Sequence, residues 1–211
     1  MAISTKAELH TAVANWLNRS DLTDRISEFI SLAEAGFNRN LRIREMLVRS
    51  TASTDTQYVS LPTDYLEMVN IELTSTSPPK RLVYITSDRS DDYREKQNNE
   101  TGTPDYYTIE GTSIQLLPTP NSSVTVQLSY FQSIPALSGL ADSGNNHLLL
   151  SNPDVYLYGT LMQASPYVMD PQSAGQWGGL LDRALQELQL SDEKSRYSGG
   201  TLNMRPKYIY T

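Results

Sequence analysis

The stretch LTDRISEFISLAEAGFNRNLRIREML, residues 22–47, changes its hydrophobic period partway along, and that change decides how the chain divides. Leu22, Ile26, Phe29, Ile30, Ala33, Phe37 and Leu41 form one apolar stripe over about five turns of an amphipathic α-helix. From about Met46 the period becomes alternating, the mark of a half-buried β-strand. A helical segment therefore hands over to a β-region near residue 46.

Upstream, Thr5 followed three residues later by Glu8 fits a capping box that opens a first helix. Leu9, Val13, Trp16 and Leu17 continue on one face. Residues 18–21 break the pattern, and Ser20 or Asp21 is placed to cap the second helix. So short a turn predicts an antiparallel helical hairpin.

Downstream, residues 48–53, 57–61, 66–74, 81–85, 106–110 and 113–117 read as strands, as does the alternation of Val124, Val126, Leu128 and Tyr130. Residues 53–56 separate the first two strands. Pro62 and Asp64 mark a turn, Asp64 being able to bond its own backbone. Gly111-Thr112 marks a hairpin, and residues 86–97 read as a short polar helix capped at Thr86 or Ser87. Residues 132–147 read as loop. Helicity returns with Ser151 or Asn152 as cap and Pro153 at the first helical position. Asp170-Pro171 repeats that signal before a long helix carrying Trp177, Leu181, Ala184, Leu185 and Leu188, which ends before Gly199-Gly200.

The order predicts an α+β chain: a four-helix bundle, from two N-terminal and two C-terminal helices, with a small antiparallel β-domain inserted and an extended C-terminal arm. The expected divisions are 1–45 plus 148–198 for the bundle, 46–147 for the β-domain and 199–211 for the arm. Trp16 and Trp177, each on its helix's apolar stripe, are expected to be buried.

Composition narrows the function. The net charge is −7, and residues 46–139 hold eleven acidic against six basic groups. Such a surface repels phosphates and argues against a protein that grips nucleic acid. Cysteine is absent, so thiolate metal sites and thiol nucleophiles are excluded. His10 and His147 lie far apart, against a His-rich metal centre, and His10 is expected on the solvent side of helix one. No cofactor is expected. The start MAISTKAEL does not read as a signal peptide, and no apolar run is long enough for a membrane span. Synthesis in a cytoplasm is expected. Thirteen tyrosines against three phenylalanines fit surfaces that become half-buried in assemblies.

Three clusters have chemical interest. Asp88, Asp91, Asp92 and Glu95 could serve a glycoside hydrolase or hold a hard cation, although acids at a helix N-terminus also complement its dipole. Arg39, Arg42 and Arg44 suit a helix C-terminus and equally an acidic or phosphate partner. The glycines of residues 102–104 and 173–179 lack the lysine of a phosphate loop.

Several segments taken in order resemble a known group. They are WLNRSDL at 16–22, FISLAEA at 29–35, NRNLRIREM at 38–46, LPTDYLE at 61–67 and YLYG at 156–159. Together they resemble phage head–tail adaptors, the group that includes the tail tubular protein A, or gatekeeper, of short-tailed phages. The resemblance implies a helical bundle with an inserted β-domain, no catalytic residues, and a place in the virion's neck, made in the bacterial host. It implies a ring, usually twelvefold, between the portal and the tail nozzle, with DNA passing through without sequence-specific binding and no membrane involved. The C-terminal arm, with Met204, Arg205, Pro206, Tyr208, Ile209 and Tyr210, is the expected contact to the portal or a neighbouring subunit. A head-completion or stopper protein of a long-tailed phage is the alternative, and a hydrolase using Asp88, Asp91, Asp92 and Glu95 is a second.

Overall fold

The computed structural model describes residues 3–19, 21–98 and 100–196. The chain forms two compact units, one of Met1–Arg39 with Pro135–Thr211, the other of Asn40–Ile134.

In the first unit, α1 (Lys6–Leu17) opens with the capping box: the Thr5 hydroxyl accepts from Glu8 N at 3.3 Å, and the Glu8 carboxylate accepts from Thr5 N at 3.0 Å. Asn18 closes it in the left-handed conformation at φ 49°. A 3-10 turn at Thr23–Arg25 precedes α2 (Ile26–Asn40). Asp21 forms no cap there; its carboxylate takes two hydrogen bonds from the Arg19 guanidinium, each 2.7 Å. The stripe of α2 is buried as its spacing requires, from Leu22 through Phe37 and on to Leu41. Three more helices follow: α4 (His147–Ser151), α5 (Pro153–Ala164) and α6 (Pro171–Arg196), with α5 packed against α1, α4 and α6. Pro153 stands in the first turn of α5, where its missing N–H is harmless.

Among its described residues the second unit contains ten strands and α3 (Ser87–Lys96). One sheet has the order β1 (Leu47–Thr54), β10 (Val124–Gln132), β3 (Tyr65–Leu73), β4 (Lys80–Arg81). The other has the order β2 (Tyr58–Ser60), β8 (Ser113–Leu117), β7 (Tyr106–Glu110), β5 (Val83–Tyr84). A two-stranded sheet pairs β6 (Thr101–Gly102) with β9 (Thr119–Pro120). Ile71, Leu73, Val126 and Leu128 from the first sheet and Val59, Ile114 and Leu116 from the second share one core, so the two sheets pack face to face. The strands 48–53 and 57–61 do not pair as neighbours. β1 pairs with β10 (Ala52 opposite Val126) and β2 with β8 (Val59 opposite Ile114). The β7–β8 hairpin forms as its Gly-Thr pair indicates, with Gly111 at φ 59°.

The expected four-helix bundle with a small antiparallel β-domain is corrected here. The described residues hold six α-helices and sheets of four, four and two strands, and the β-part is large enough to build its own two-layer core. It is not purely antiparallel, since β5–β7 and β6–β9 run parallel. Helix α4 falls where residues 132–147 end as expected loop. Five residues are too few to show a 3.6 period, and the helix stands because the Asn146 side chain accepts from Leu149 N at 2.9 Å. Trp16 is also corrected: it is 51% exposed, and Trp177 is only half-buried.

Helices α2 and α5 approach closely at Gly159, where a Cβ would lie 2.6 Å from the Phe37 ring. Phe37 is itself buried and meets Tyr156 edge-on at 5.3 Å, so its ring has little room to move. Gly159→Val is expected to destabilise by about 1–3 kcal/mol in chemical denaturation, the range for overpacking a tight core. An unchanged denaturation midpoint would show that Phe37 can yield.

Candidate functional site

The most elaborate polar arrangement lies inside the helical unit. Glu34 stands in the apolar stripe of α2 between Ile30 and Phe37 and is buried. Its Oε1 accepts from Leu137 N at 2.8 Å and from the Tyr156 hydroxyl at 3.0 Å. Asn146 Nδ2 donates to the same hydroxyl at 2.5 Å and to Pro135 O at 2.8 Å. One carboxylate thus ties α2, α5 and the segment at residues 135–149 together. Burial pushes the Glu34 pKa up, against the two hydrogen bonds that pull it down. Burial, and then the Glu34 charge, hold the Tyr156 hydroxyl protonated far above its ordinary range. Sequence reading missed this site. The signal was present, as a glutamate within a stripe of Ile30, Ala33 and Phe37.

The β-unit has a parallel case. Tyr130 donates to Asp64 Oδ1 at 2.9 Å, and burial together with Asp64 pushes its pKa up to about 12. Asp64, in the turn just before β3, gives its carboxylate to this bond with β10, not to its own backbone, while its carbonyl accepts from Ser133 N at 2.7 Å. Ser90 of α3, fully buried, donates to Gln115 Oε1 at 3.3 Å and anchors that helix on β8.

The clusters singled out from sequence lie as follows. Asp88, Asp91, Asp92 and Glu95 are exposed along α3, with Asp91 3.8 Å from the Arg94 guanidinium. Asp92 joins Arg89, Lys96, Tyr93, Tyr106 and Ile85 around an open cleft of about 480 Å³. Among the described residues no group of three or more His, Asp or Glu is placed to hold a metal. Arg39 is exposed in the last turn of α2. Arg42 pairs with Glu67 at 2.7 Å and donates to Leu41 O at 2.6 Å, and Arg44 reaches Glu45 at 3.3 Å. His10 is half-buried, 3.5 Å from the Ser27 hydroxyl, and burial lowers its pKa. Met204, Arg205, Pro206, Tyr208, Ile209 and Tyr210 lie outside the described residues.

On the helical unit's surface, Trp16, Tyr158 and Trp177 form a ring cluster contributed by α1, α5 and α6. Trp16 and Trp177 have centroids 5.5 Å apart, and Tyr158 stacks on Trp177 at 6.4 Å. In the β-unit, Val69, Val83 and Tyr84 are exposed around a second cleft. Exposed aromatic side chains of this kind are enriched where proteins contact one another.

The model of the family described as SU10 adaptor protein matches residues 4–205, and the chain belongs to that family of phage head–tail adaptors. A comparison with curated proteins finds no match. The protein is accordingly a structural component of a phage virion that interacts with other head and tail proteins. No helix among the described residues is long and apolar enough to cross a membrane.

The Glu34 network sets a pH dependence. A carboxyl with a raised folded pKa contributes stability that is present below its unfolded value, about 4.5, and lost as pH rises through the folded value. Wild-type stability minus that of Glu34→Gln, measured by denaturation between pH 4 and 7, is therefore expected to fall with rising pH. Glu34→Ala leaves Leu137 N and the Tyr156 hydroxyl without their acceptor and is expected to lose about 1–3 kcal/mol more than Glu34→Gln. A pH-independent difference would mean that Glu34 is hydrated in the folded state.

Proposed function

We propose that the protein closes into a ring, twelvefold, that docks beneath the portal with the tail nozzle below it and conducts DNA through its lumen. The family match over residues 4–205 is the observation that carries this reading. The charge of −7 supports it, because a wall that does not bind phosphates releases no counterions and does not hold a moving duplex. Exposed Trp16 and Tyr84 supply the kind of side chain that anchors protein interfaces. Added to portal rings, the protein is expected to give a closed complex containing about 280 kDa of adaptor, from twelve chains of 23.6 kDa. Native mass spectrometry that finds one or two copies per portal at saturation rejects the ring.

Residues 199–211 act in this reading as the clamp, through Met204, Arg205, Pro206, Tyr208, Ile209 and Tyr210. Tyr208-Ile209-Tyr210 is a β-forming run suited to adding to another subunit's sheet edge or lying in a groove. Arg205 adds a charge for a partner carboxylate. Arg39, with Arg42 and Arg44, offers a second basic contact for an acidic or phosphate-bearing neighbour. Deleting residues 201–211 is expected to leave the melting temperature unchanged and to weaken portal docking roughly tenfold or more, about 1.4 kcal/mol. Raised salt should reproduce part of that loss. Unchanged affinity of the truncated chain would move the contact to the helical unit's face.

A further inference from the structure

Between α5 and α6 the chain makes a turn with an exposed tip. Val168 N bonds Ala164 O at 3.2 Å, Met169 N bonds Pro166 O at 3.2 Å and Asp170 N bonds Ser165 O at 3.1 Å, so the turn is internally held. Tyr167 leans on Phe29 at 5.6 Å. Met169 sits at φ 59°, a region that non-glycine residues seldom occupy, and is 89% exposed. Within one copy that exposure gains nothing: a large apolar side chain is held out in water on a hydrogen-bonded turn. Asp170 follows, exposed, and its carboxylate caps α6 through Ser173 N at 3.2 Å and the Ser173 hydroxyl at 2.5 Å.

The β-unit carries a receptacle of matching chemistry. Beside β3 and β5 opens a cleft of about 290 Å³ with Ile71 and Leu82 as buried floor and Val69, Val83 and Tyr84 as exposed walls. Arg81 is the charged side chain among its described lining residues. Its occupant should therefore be apolar and carry negative charge. The C-terminal segment does not meet that condition, since residues 197–211 contain Arg205 and Lys207 and no acid. The Met169 turn does: Tyr167 and Met169 are apolar, and Asp170 is an acid held ionised by its bonds to Ser173.

We infer that the turn of residues 165–170 of one copy seats Met169 in the β3–β5 cleft of the next copy, with Asp170 facing Arg81. Knob and receptacle are different surfaces of one chain; engaged by two different neighbours they make a head-to-tail contact, the kind that propagates around a ring. The inference rests on the ring reading above and names the surfaces that close it.

The chain has no cysteine of its own, so single thiols report cleanly. Val83→Cys and Met169→Cys, both at exposed positions, are made separately, mixed in equal amounts, assembled on portal rings and treated with a short thiol–thiol crosslinker. The expected result is a covalent dimer from the mixture and none from either variant alone, since each alone brings no thiol pair together at a head-to-tail contact. Native mass spectrometry of the same samples counts copies per portal. Closed rings without a mixture-specific dimer, or with equal dimer from a single variant, overturn the knob-and-cleft contact and leave the ring standing. Absence of rings overturns the ring and this contact with it.

Discussion

Glu34 stands in the middle of an apolar stripe with its carboxylate out of water, where an unpaired charge would cost several kcal/mol. It is tolerated because Leu137 N and the Tyr156 hydroxyl reach it, and because Asn146 holds that hydroxyl in turn. The consequences run through the helical unit. In the irregular segment after β10, Leu137 N is met by Glu34 and Pro135 O by Asn146, so these two backbone groups keep partners. Gly159 and Phe37 then set how close α5 comes to α2. Losing the carboxylate would remove the acceptor around which three parts of the unit are arranged.

The β-unit obeys a different constraint. Its two sheets bury one face each against the other, and the successive strands β1, β2 and β3 serve that shared core from alternating sheets. β1 leaves one sheet and β2 enters the other within four residues, so each finds its partner far along the chain. β10 and β3, nine residues each, pair in the middle of the first sheet, and their ladder is interrupted at Ser129/Tyr130, near where Tyr130 reaches across to Asp64.

What these interiors achieve is two well-defined units whose remaining chemistry is on the outside. Trp16, Tyr158 and Trp177 cluster at the surface of the helical unit, and Val69, Val83 and Tyr84 rim a cleft in the β-unit. Exposed aromatic and apolar side chains of this kind are the ones that protein–protein contacts are commonly built from. The ion pairs of Arg42 with Glu67 and Arg44 with Glu45 are largely exposed and contribute little to stability.

Much of the local structure is legible in the residues themselves. The Thr5–Glu8 box, the α2 stripe, Pro153 at a helix start, Gly111 at a hairpin and the span of α3 each follow from side chains within a few positions of one another, where propensity and capping act. The segments quoted from residues 16 to 159 also carried the adaptor resemblance, and the family match agrees with it. Only the tertiary structure decided which strands pair, how many sheets form, that Trp16 faces solvent and that Glu34 is buried. Those outcomes depend on surfaces brought together from distant parts of the chain. A hydrophobic period states that one face must be covered, and it does not state which other face will cover it.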